Sequence, residues 1–337
     1  MNRVGAVSYS YQYSIGLFSY SDRPGERMDV FGFVSATREA GGEVAQIFHT
    51  MLNGLGADDL ARLRSHAVDV DMALEIHGGG AQREDFEVTL QQAAALGVKV
   101  VGCSFGMLTR PDKIGTMAGW DEHLDACRTR YGQLLLAAAP LGITVGVENH
   151  LDLTVAELRD MVEAAESPNA GVILDVGNTI GTLDDPVEAA EILGPYTVAT
   201  HYKDFAIEEV TRGFRFTMVP LGAGSLDLPS ITRKLLEHIG PEVNLAIEMM
   251  NGQQFEVKWL EDRFWAAYRD KPARDVAATL RHIRSKAIDI DEFLPVADAD
   301  KLDHQAHLGL ERERISRCIT HLKELVAAGG HNPHTQA

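Results

Sequence analysis

Cysteine is scarce in this chain: Cys103, Cys127 and Cys318 are the only three in 337 residues. An odd number at irregular spacing excludes an even disulfide framework and fits no paired-thiol zinc motif, so the expectation is reduced thiols in a cytoplasmic protein. Basic residues are also in short supply. Against 49 acidic side chains stand 31 Lys and Arg, for a net charge of −18. Such a balance argues against the phosphate backbone of nucleic acid as a partner, while one local Arg or Lys can still hold a small anionic substrate. Long apolar runs are missing too. The longest, LLLAAAPLGITVGV (134–147), is broken by Pro140 and Gly142 and is too short to span a bilayer. The opening MNRVGAVSYSYQYS lacks the apolar core of a signal peptide. No membrane partner is expected. There is no internal repeat and no low-complexity tract.

What is present is an ordinary globular composition, 45% hydrophobic and 24% charged, arranged in a regular alternation. Short apolar runs read as strands: RVGAVSYS (3–10), VAQIFH (44–49), MALEIH (72–77), KVVGCSFG (99–106), ITVGVE (143–148), AGVILD (170–175), TVATH (197–201) and NLAIE (244–248). Amphipathic stretches separate them, among them MDVFGFVSATREAG, ADDLARLRSHAVD, REDFEVTLQQAAALG and TVAELRDMVEAAES. Thr154 with Glu157 forms a capping-box pattern, and Asp185 before Pro186 reads as an N-cap followed by proline at the first helical position. Eight βα units over roughly 250 residues predict a (β/α)8 TIM barrel. A doubly wound sheet is the rival, but no Gly-rich phosphate fingerprint follows the first strand.

Beyond Glu248 the chain continues to residue 337, further than one closing helix requires. The expected organisation is a catalytic barrel over 1–270, a C-terminal helical extension of the same domain over 271–330, and a disordered tail at 331–337. Everything after Glu248, residues 249–337, is read as the eighth helix plus a packing extension, with 255–287 followed by a Pro- and Asp-containing joint and a last helical stretch. Phe264, Trp265 and Tyr268 within it are candidates to cover the barrel mouth or to form a subunit contact.

Glu148, Asp175, His201 and Glu248 each end one of the last four apolar runs. Strand C-termini are where a parallel barrel gathers its active site. Taken singly, Glu148 has an alternative as a structural salt bridge, Asp175 as a turn cap and His201 as a satisfied core histidine. One metal ion accounts for all four at once. Three carboxylates and one imidazole form a hard donor set that suits Mn²⁺ first, with Mg²⁺ or Co²⁺ as alternatives, over a structural zinc. Such an ion can hold the carbonyl and neighbouring hydroxyl of a sugar. It then acidifies the C–H beside the carbonyl by stabilising the enediolate charge, and a rim glutamate can take the proton.

The motifs VEN (147–149), LDVGN (174–178), HYKD (201–204) and IEM (247–249) make the chain similar to the sugar-phosphate isomerase/epimerase superfamily, the xylose-isomerase-like TIM barrels, over roughly residues 3–250. The resemblance implies that Glu148, Asp175, His201 and Glu248 bind one divalent metal, and that Glu148 and Glu248 double as proton-transfer groups. It also puts Lys203 beside the metal-bound histidine, in reach of substrate or Glu148. His77, ahead of Gly78, Gly79 and Gly80, stands at the mouth end of the third strand as a substrate-binding candidate. His150, two residues past Glu148, is a candidate base with a pKa near neutrality. Arg215, with Arg212, is a candidate for an anionic substrate group. No convincing phosphate-binding cluster accompanies them, which favours a free sugar or glycoside.

Two enzyme readings follow. The first is a metal-dependent sugar isomerase or epimerase, working alone as a homo-oligomer. The second is a lyase: ENHLD (148–152) and the long C-terminus also resemble the large subunits of bacterial C-glycoside deglycosidases. That resemblance implies β-elimination from a 3-keto-glycoside, His150 as base and a small β-rich partner subunit. A sugar-sensing barrel that keeps the metal for binding alone is the non-enzymatic alternative, and both retained glutamates argue against it.

Overall fold

The computed structural model describes residues 2–106, 110, 114–250, 253–269, 271–285 and 302–329. The tail at 331–337 lies outside them.

Eight parallel strands close into a barrel in the order β1-β10-β7-β6-β5-β4-β3-β2. They are β1 (Val4–Val7), β2 (Val44–Phe48), β3 (Ala73–Gly80), β4 (Val100–Ser104), β5 (Thr144–Glu148), β6 (Ala170–Asp175), β7 (Thr197–Tyr202) and β10 (Asn244–Ile247). Each expected apolar run supplies one. Parallel strands are covered on both faces, which is why they read as nearly continuous Val, Ile, Leu and Ala rather than as an alternating pattern. The first run stops pairing early. Ser8 and Ser10 leave the ladder and bond neighbouring strand ends: Ser8 Oγ accepts from Phe48 N at 2.9 Å and Ser10 Oγ from Met249 N at 3.0 Å.

The helices carry the start signals present in the sequence. After a single turn, α1 (Gln12–Ile15), come α2 (Val30–Glu39), capped by Asp29, α3 (Ala57–Asp69) and α4 (Phe86–Leu96). Helix α5 (Met117–Ala138) packs on β5, where Tyr131 Oη donates to Val145 O at 2.9 Å. At α6 (Val155–Ala164) Thr154 Oγ1 accepts from Glu157 N while Glu157 Oε2 accepts from Thr154 N, closing the expected capping box. At α7 (Pro186–Leu193) Asp185 accepts from the amides of Val187 and Glu188, with proline in the first turn. Helix α8 (Leu228–Leu236) follows β7 after an insertion.

That insertion breaks the βα rhythm. Strands β8 (Asp204–Val210) and β9 (Gly213–Val219) form an antiparallel hairpin, and β11 (Gln254–Val257) pairs with β9 to complete a second, three-stranded sheet. DFAIEEV and GFRFTMV bury Phe205, Ile207, Phe214, Phe216 and Met218 on one face, and Ala206 and Thr217 of the other face are buried too, so only the far end of the hairpin is exposed.

The C-terminal region also differs. The described residues 253–269 and 271–285 hold β11, a short α9 (Asp262–Trp265) and α10 (Ala273–Ser285), and the place of the eighth barrel helix is filled further along the chain. That place is taken by α11 (His304–Gly329), which packs on β1, β10 and α8 and buries Ile315, Cys318, Ile319, Leu322 and Val326. Part of the expected extension therefore belongs to the barrel wall. Phe264 stacks on Tyr268 at 5.0 Å and Tyr268 lies over the Arg110 guanidinium at 4.4 Å, so these aromatics pack among themselves instead of lining the central cavity. The three cysteines are free and buried. Among the described residues no helix is long and apolar enough to cross a membrane.

Candidate metal centre

Strands β5, β6, β7 and β10 are adjacent in the barrel, and each ends within one residue of one of the four expected ligands. The register sets Asp175 beside His201, and Glu248 N bonds Tyr202 O at 2.9 Å, extending β10 by one step. One donor atom from each of Glu148, Asp175, His201 and Glu248 falls within 4.8 Å of all the others, and all four residues are buried. His201 Nδ1 is the focus: Glu248 Oε2 lies 3.0 Å away, Glu148 Oε1 3.2 Å and Asp175 Oδ2 4.0 Å.

The other ring nitrogen sets the tautomer. His201 Nε2 donates to Gln46 Oε1 at 2.6 Å, Gln46 Nε2 donates to Glu75 Oε2 at 3.1 Å, and Asn244 Nδ2 donates to Glu75 Oε1 at 2.8 Å. A histidine held this way presents an unprotonated Nδ1 to a metal. Asp175 is held as firmly. Its Oδ1 accepts from Gly177 N and Asn178 N, and its backbone exchanges two bonds with the Asn149 side chain, leaving Oδ2 for the centre.

Lys203 is the counter-charge. Its Nζ lies 2.5 Å from Asp175 Oδ2 and 3.0 Å from Glu248 Oε1. Burial disfavours its charge, but Asp175 and Glu248 more than offset that and hold it cationic. Burial would likewise raise Glu248, yet Lys203 and His201 bring it down to about 2. Glu148 behaves alike, with His201 and His77 holding it well below the usual carboxylate range despite burial. Burial wins at Asp175, which is pushed up to about 7 with Lys203 opposing. Burial also opposes charge on His201, but Glu148 and Glu248 raise it to about 10.

These values describe a pocket with surplus negative charge. Three carboxylates against the Lys203 ammonium and a protonated His201 ring still leave about one uncompensated negative charge when Asp175 is ionised, and isolated buried charge costs several kcal/mol. A divalent cation among three carboxylate oxygens and one imidazole nitrogen removes that excess. The donor set therefore fits a divalent metal ion.

Around the centre opens a cavity of about 560 Å³. His77, His150, Lys203, Glu148 and Glu248 all line it. His77 accepts from Gly79 N at Nδ1 and so donates through Nε2 to Glu148 Oε2 at 3.1 Å, which makes it an orienting partner of that glutamate. His150 Nδ1 is buried and has no hydrogen-bond partner, and burial lowers the ring's pKa despite Glu148 nearby. Arg215 is not brought to this cavity. It pairs with Glu208 across the hairpin at 2.9 Å, while Arg212 pairs with Glu256 and Glu261. Its place on the strand explains it: Arg215 stands at the exposed far end of the hairpin.

Several lining residues were absent from the sequence reading, notably Tyr9, Gln12, Phe18, Phe48, Ser104, Met250, Gln253 and Phe255. The Gln46–Glu75 chain was missed as well, although a Gln and a Glu inside otherwise apolar strands VAQIFH and MALEIH were a readable sign of an inward polar pair. Asp204 of HYKD is not a ligand. It gathers the amides of Gly222, Gly224 and Leu226 and shapes the loop after β9.

Comparison with known proteins agrees with this architecture. The chain is 28% identical over 228 residues to a 3-oxo-isoapionate decarboxylase from Pectobacterium atrosepticum, covering 65% of this chain and 79% of that protein. Its fold is similar to the crystal structure of a D-psicose 3-epimerase determined in the presence of D-fructose, with a TM-score of 0.61, 16% identity and coverage of 96% and 99% of the two chains. It is also similar to a xylose isomerase-like TIM barrel protein from Mycobacterium smegmatis in complex with magnesium, with a TM-score of 0.54, 17% identity and coverage of 85% and 97%. Residues 35–286 match the sequence model of the xylose isomerase-like TIM barrel family, and the chain belongs to that family.

Proposed function

We propose that this protein is a divalent-metal-dependent enzyme that moves a proton beside the carbonyl of a small sugar or glycoside, with isomerisation or epimerisation as the net reaction. One observation carries the reading. Glu148 and Glu248 come from the outer two of four adjacent strands and both line the cavity, flanking Asp175 and His201. A sugar in the cavity then meets a carboxylate on either side. Both glutamates are ionised at neutral pH and able to accept a proton.

Glu148, Asp175, His201 and Glu248 would hold the ion; Mn²⁺ is the first choice, with Mg²⁺ or Co²⁺ as alternatives. When bound, the metal supplies Lewis acidity that makes the C–H next to the carbonyl easier to ionise. Glu148, oriented by His77, and Glu248, beside the Lys203 ammonium, divide the work of removing and returning that proton. Lys203 balances charge at the rim, and His77 and Lys203 are within reach of substrate hydroxyls. No arginine among the described residues lines the cavity, which supports an uncharged sugar over a sugar phosphate. A cytoplasmic homo-oligomer without nucleic-acid or membrane partners completes the proposal.

A lyase is the second reading. The unpartnered His150 Nδ1 supports it, since a neutral imidazole at the cavity wall can take the proton that starts β-elimination from a 3-keto-glycoside, with a small partner subunit. The decarboxylase relative supports lyase chemistry of another kind, in which a C–C bond breaks, CO₂ leaves and the carbon is then protonated. The test is product analysis by mass spectrometry in D₂O, with Mn²⁺-loaded protein and a pool of ketoses, aldoses, 3-keto-glycosides and β-keto sugar acids. A sugar of unchanged composition carrying one solvent deuterium supports the first reading. A released aglycone or CO₂ supports the second. No product and no exchange across the pool would overturn both.

A further inference from the structure

One side of the cavity is aromatic, and it is not built by the barrel strands alone. Tyr9 packs on Phe48 at 4.6 Å between ring centres and on Phe18 at 5.5 Å, and Gln12 lies beside them in the lining. Tyr9, Gln12 and Phe18 all belong to the stretch between β1 and α2, whose only regular α-helical structure is the four-residue α1. One turn of helix is not stable by itself. This one also lacks a local side-chain cap for its first amides. Phe18 carries a φ of +53°, a left-handed backbone that costs energy in a residue with a side chain, and its ring is 49% exposed at the mouth. Something outside the segment must hold it.

The holder is on the other end of the chain. Glu311 of α11, only 1% exposed, accepts from Tyr13 N at 2.8 Å and Ser14 N at 3.1 Å, and Ser14 Oγ donates to its second oxygen. It does for α1 what an N-terminal cap does, from 298 residues away. The same helix adds His307, stacked on Tyr13 at 4.3 Å with the rings 9° apart, and His304, whose Nδ1 lies 3.0 Å from Tyr13 Oη. A carboxylate is a costly choice for a helix face otherwise buried through Ile315, Cys318, Ile319 and Leu322, unless the amides it binds matter.

We infer that Glu311 is a positioning residue for substrate: by capping α1 it sets where Tyr9, Gln12 and Phe18 stand against the sugar. The inference rests on the cavity being the substrate site. Glu311 touches none of the metal-centre residues, so its removal should change how substrate is held and leave the metal alone.

The experiment compares Glu311→Ala, Glu311→Gln and wild type, all loaded with Mn²⁺, with Glu148→Ala as the control for the proposed function. The probe is the sugar that exchanges solvent deuterium fastest in the pooled assay. Expected for Glu311→Ala is a KM raised about tenfold, with kcat within about threefold and unchanged Mn²⁺ affinity by calorimetry. Glu311→Gln keeps one acceptor oxygen and should fall between the two. In hydrogen exchange, with no sugar present, amides of residues 9–20 should lose protection while the barrel strands keep theirs. Unchanged KM in both variants, or protection lost throughout the barrel, would overturn the inference. If Glu311→Ala does not fold, Glu311→Gln and Ser14→Ala decide by the same readouts. If no sugar exchanges, or Glu148→Ala is as active as wild type, the proposed function fails, and the exchange pattern still judges the clamp.

Discussion

At His201 a proton and a metal compete for the same nitrogen. Nε2 is committed to Gln46, so the proton that Glu148 and Glu248 stabilise on the ring occupies Nδ1, where the metal must bind. With the pKa raised to about 10, the ring is charged at neutral pH before metal enters. The sign follows. The raised value stabilises the metal-free fold fully below the ordinary histidine range, and that contribution fades as pH rises through about 10. Metal binding runs the other way: above about pH 7, where Asp175 is ionised, its affinity should climb with pH by up to about tenfold per unit until His201 deprotonates unaided. Calorimetry of Mn²⁺ binding at pH 8 in buffers of different ionisation enthalpy should report release of about one proton. Independence from buffer would mean that His201 is already neutral or is not a ligand.

A second residue-scale test separates the glutamates from His150. If Glu148 and Glu248 carry the proton, His150→Ala should keep solvent-deuterium exchange within about tenfold of wild type, whereas Glu248→Gln should lose more than about 100-fold and bind Mn²⁺ more weakly. Loss of all exchange in His150→Ala, with metal still bound, would favour the lyase.

Elements decide how these residues are aimed. β2 and β3 bring Gln46 opposite Glu75, and β3 and β4 bring His77 opposite Gly102. A side chain at position 102 would lie 2.8 Å from His77 Cδ2, so the glycine leaves room for the ring that orients Glu148. Gln46→Ala should leave the fold intact and weaken Mn²⁺ binding about 10- to 100-fold, the usual cost of losing a ligand's orienting partner. Unchanged affinity in a titration would show that the Gln46–Glu75–Asn244 chain is only structural.

The same scale explains what the sequence could and could not say. All eight barrel strands were readable because a parallel strand covered on both faces leaves a nearly continuous apolar run, and the four ligands were readable because they end those runs. The hairpin β8–β9 was not. A βα rhythm leads the reader to expect a helix after HYKD, and the turn before Gly213 carries Arg212 and sits near Arg215, which look like anion binders until the strands pair them with Glu208, Glu256 and Glu261. Tyr9, Gln12 and Phe18 were hidden for a different reason. Their place depends on Glu311, and no local pattern links positions so far apart.

For the molecule as a whole, the last helix is the keystone of two structures at once. α11 covers β1 and β10, where the closed barrel joins its first strand to its last, and it also holds the segment that walls the cavity. Elsewhere a comparable join is made by Arg110, 1% exposed and held between Trp120 and Tyr268, with two bonds to Glu157 at 2.7 and 2.9 Å. The two joins should fail differently. Glu157→Ala leaves the buried Arg110 charge unpaired and removes the α6 capping box, a loss of roughly 3 kcal/mol. The barrel keeps all its strands and their cover, so the melting temperature should fall by roughly 4 °C with the transition still cooperative. A chain ending at residue 303 loses the helix that buries Ile315, Ile319 and Leu322 against the seam. The apolar outer faces of β1 and β10 would then meet water, and no cooperative transition should remain in calorimetry. A truncated chain that melts cooperatively, with Mn²⁺ still bound, would show that the barrel closes without α11 and that this helix serves the cavity wall alone.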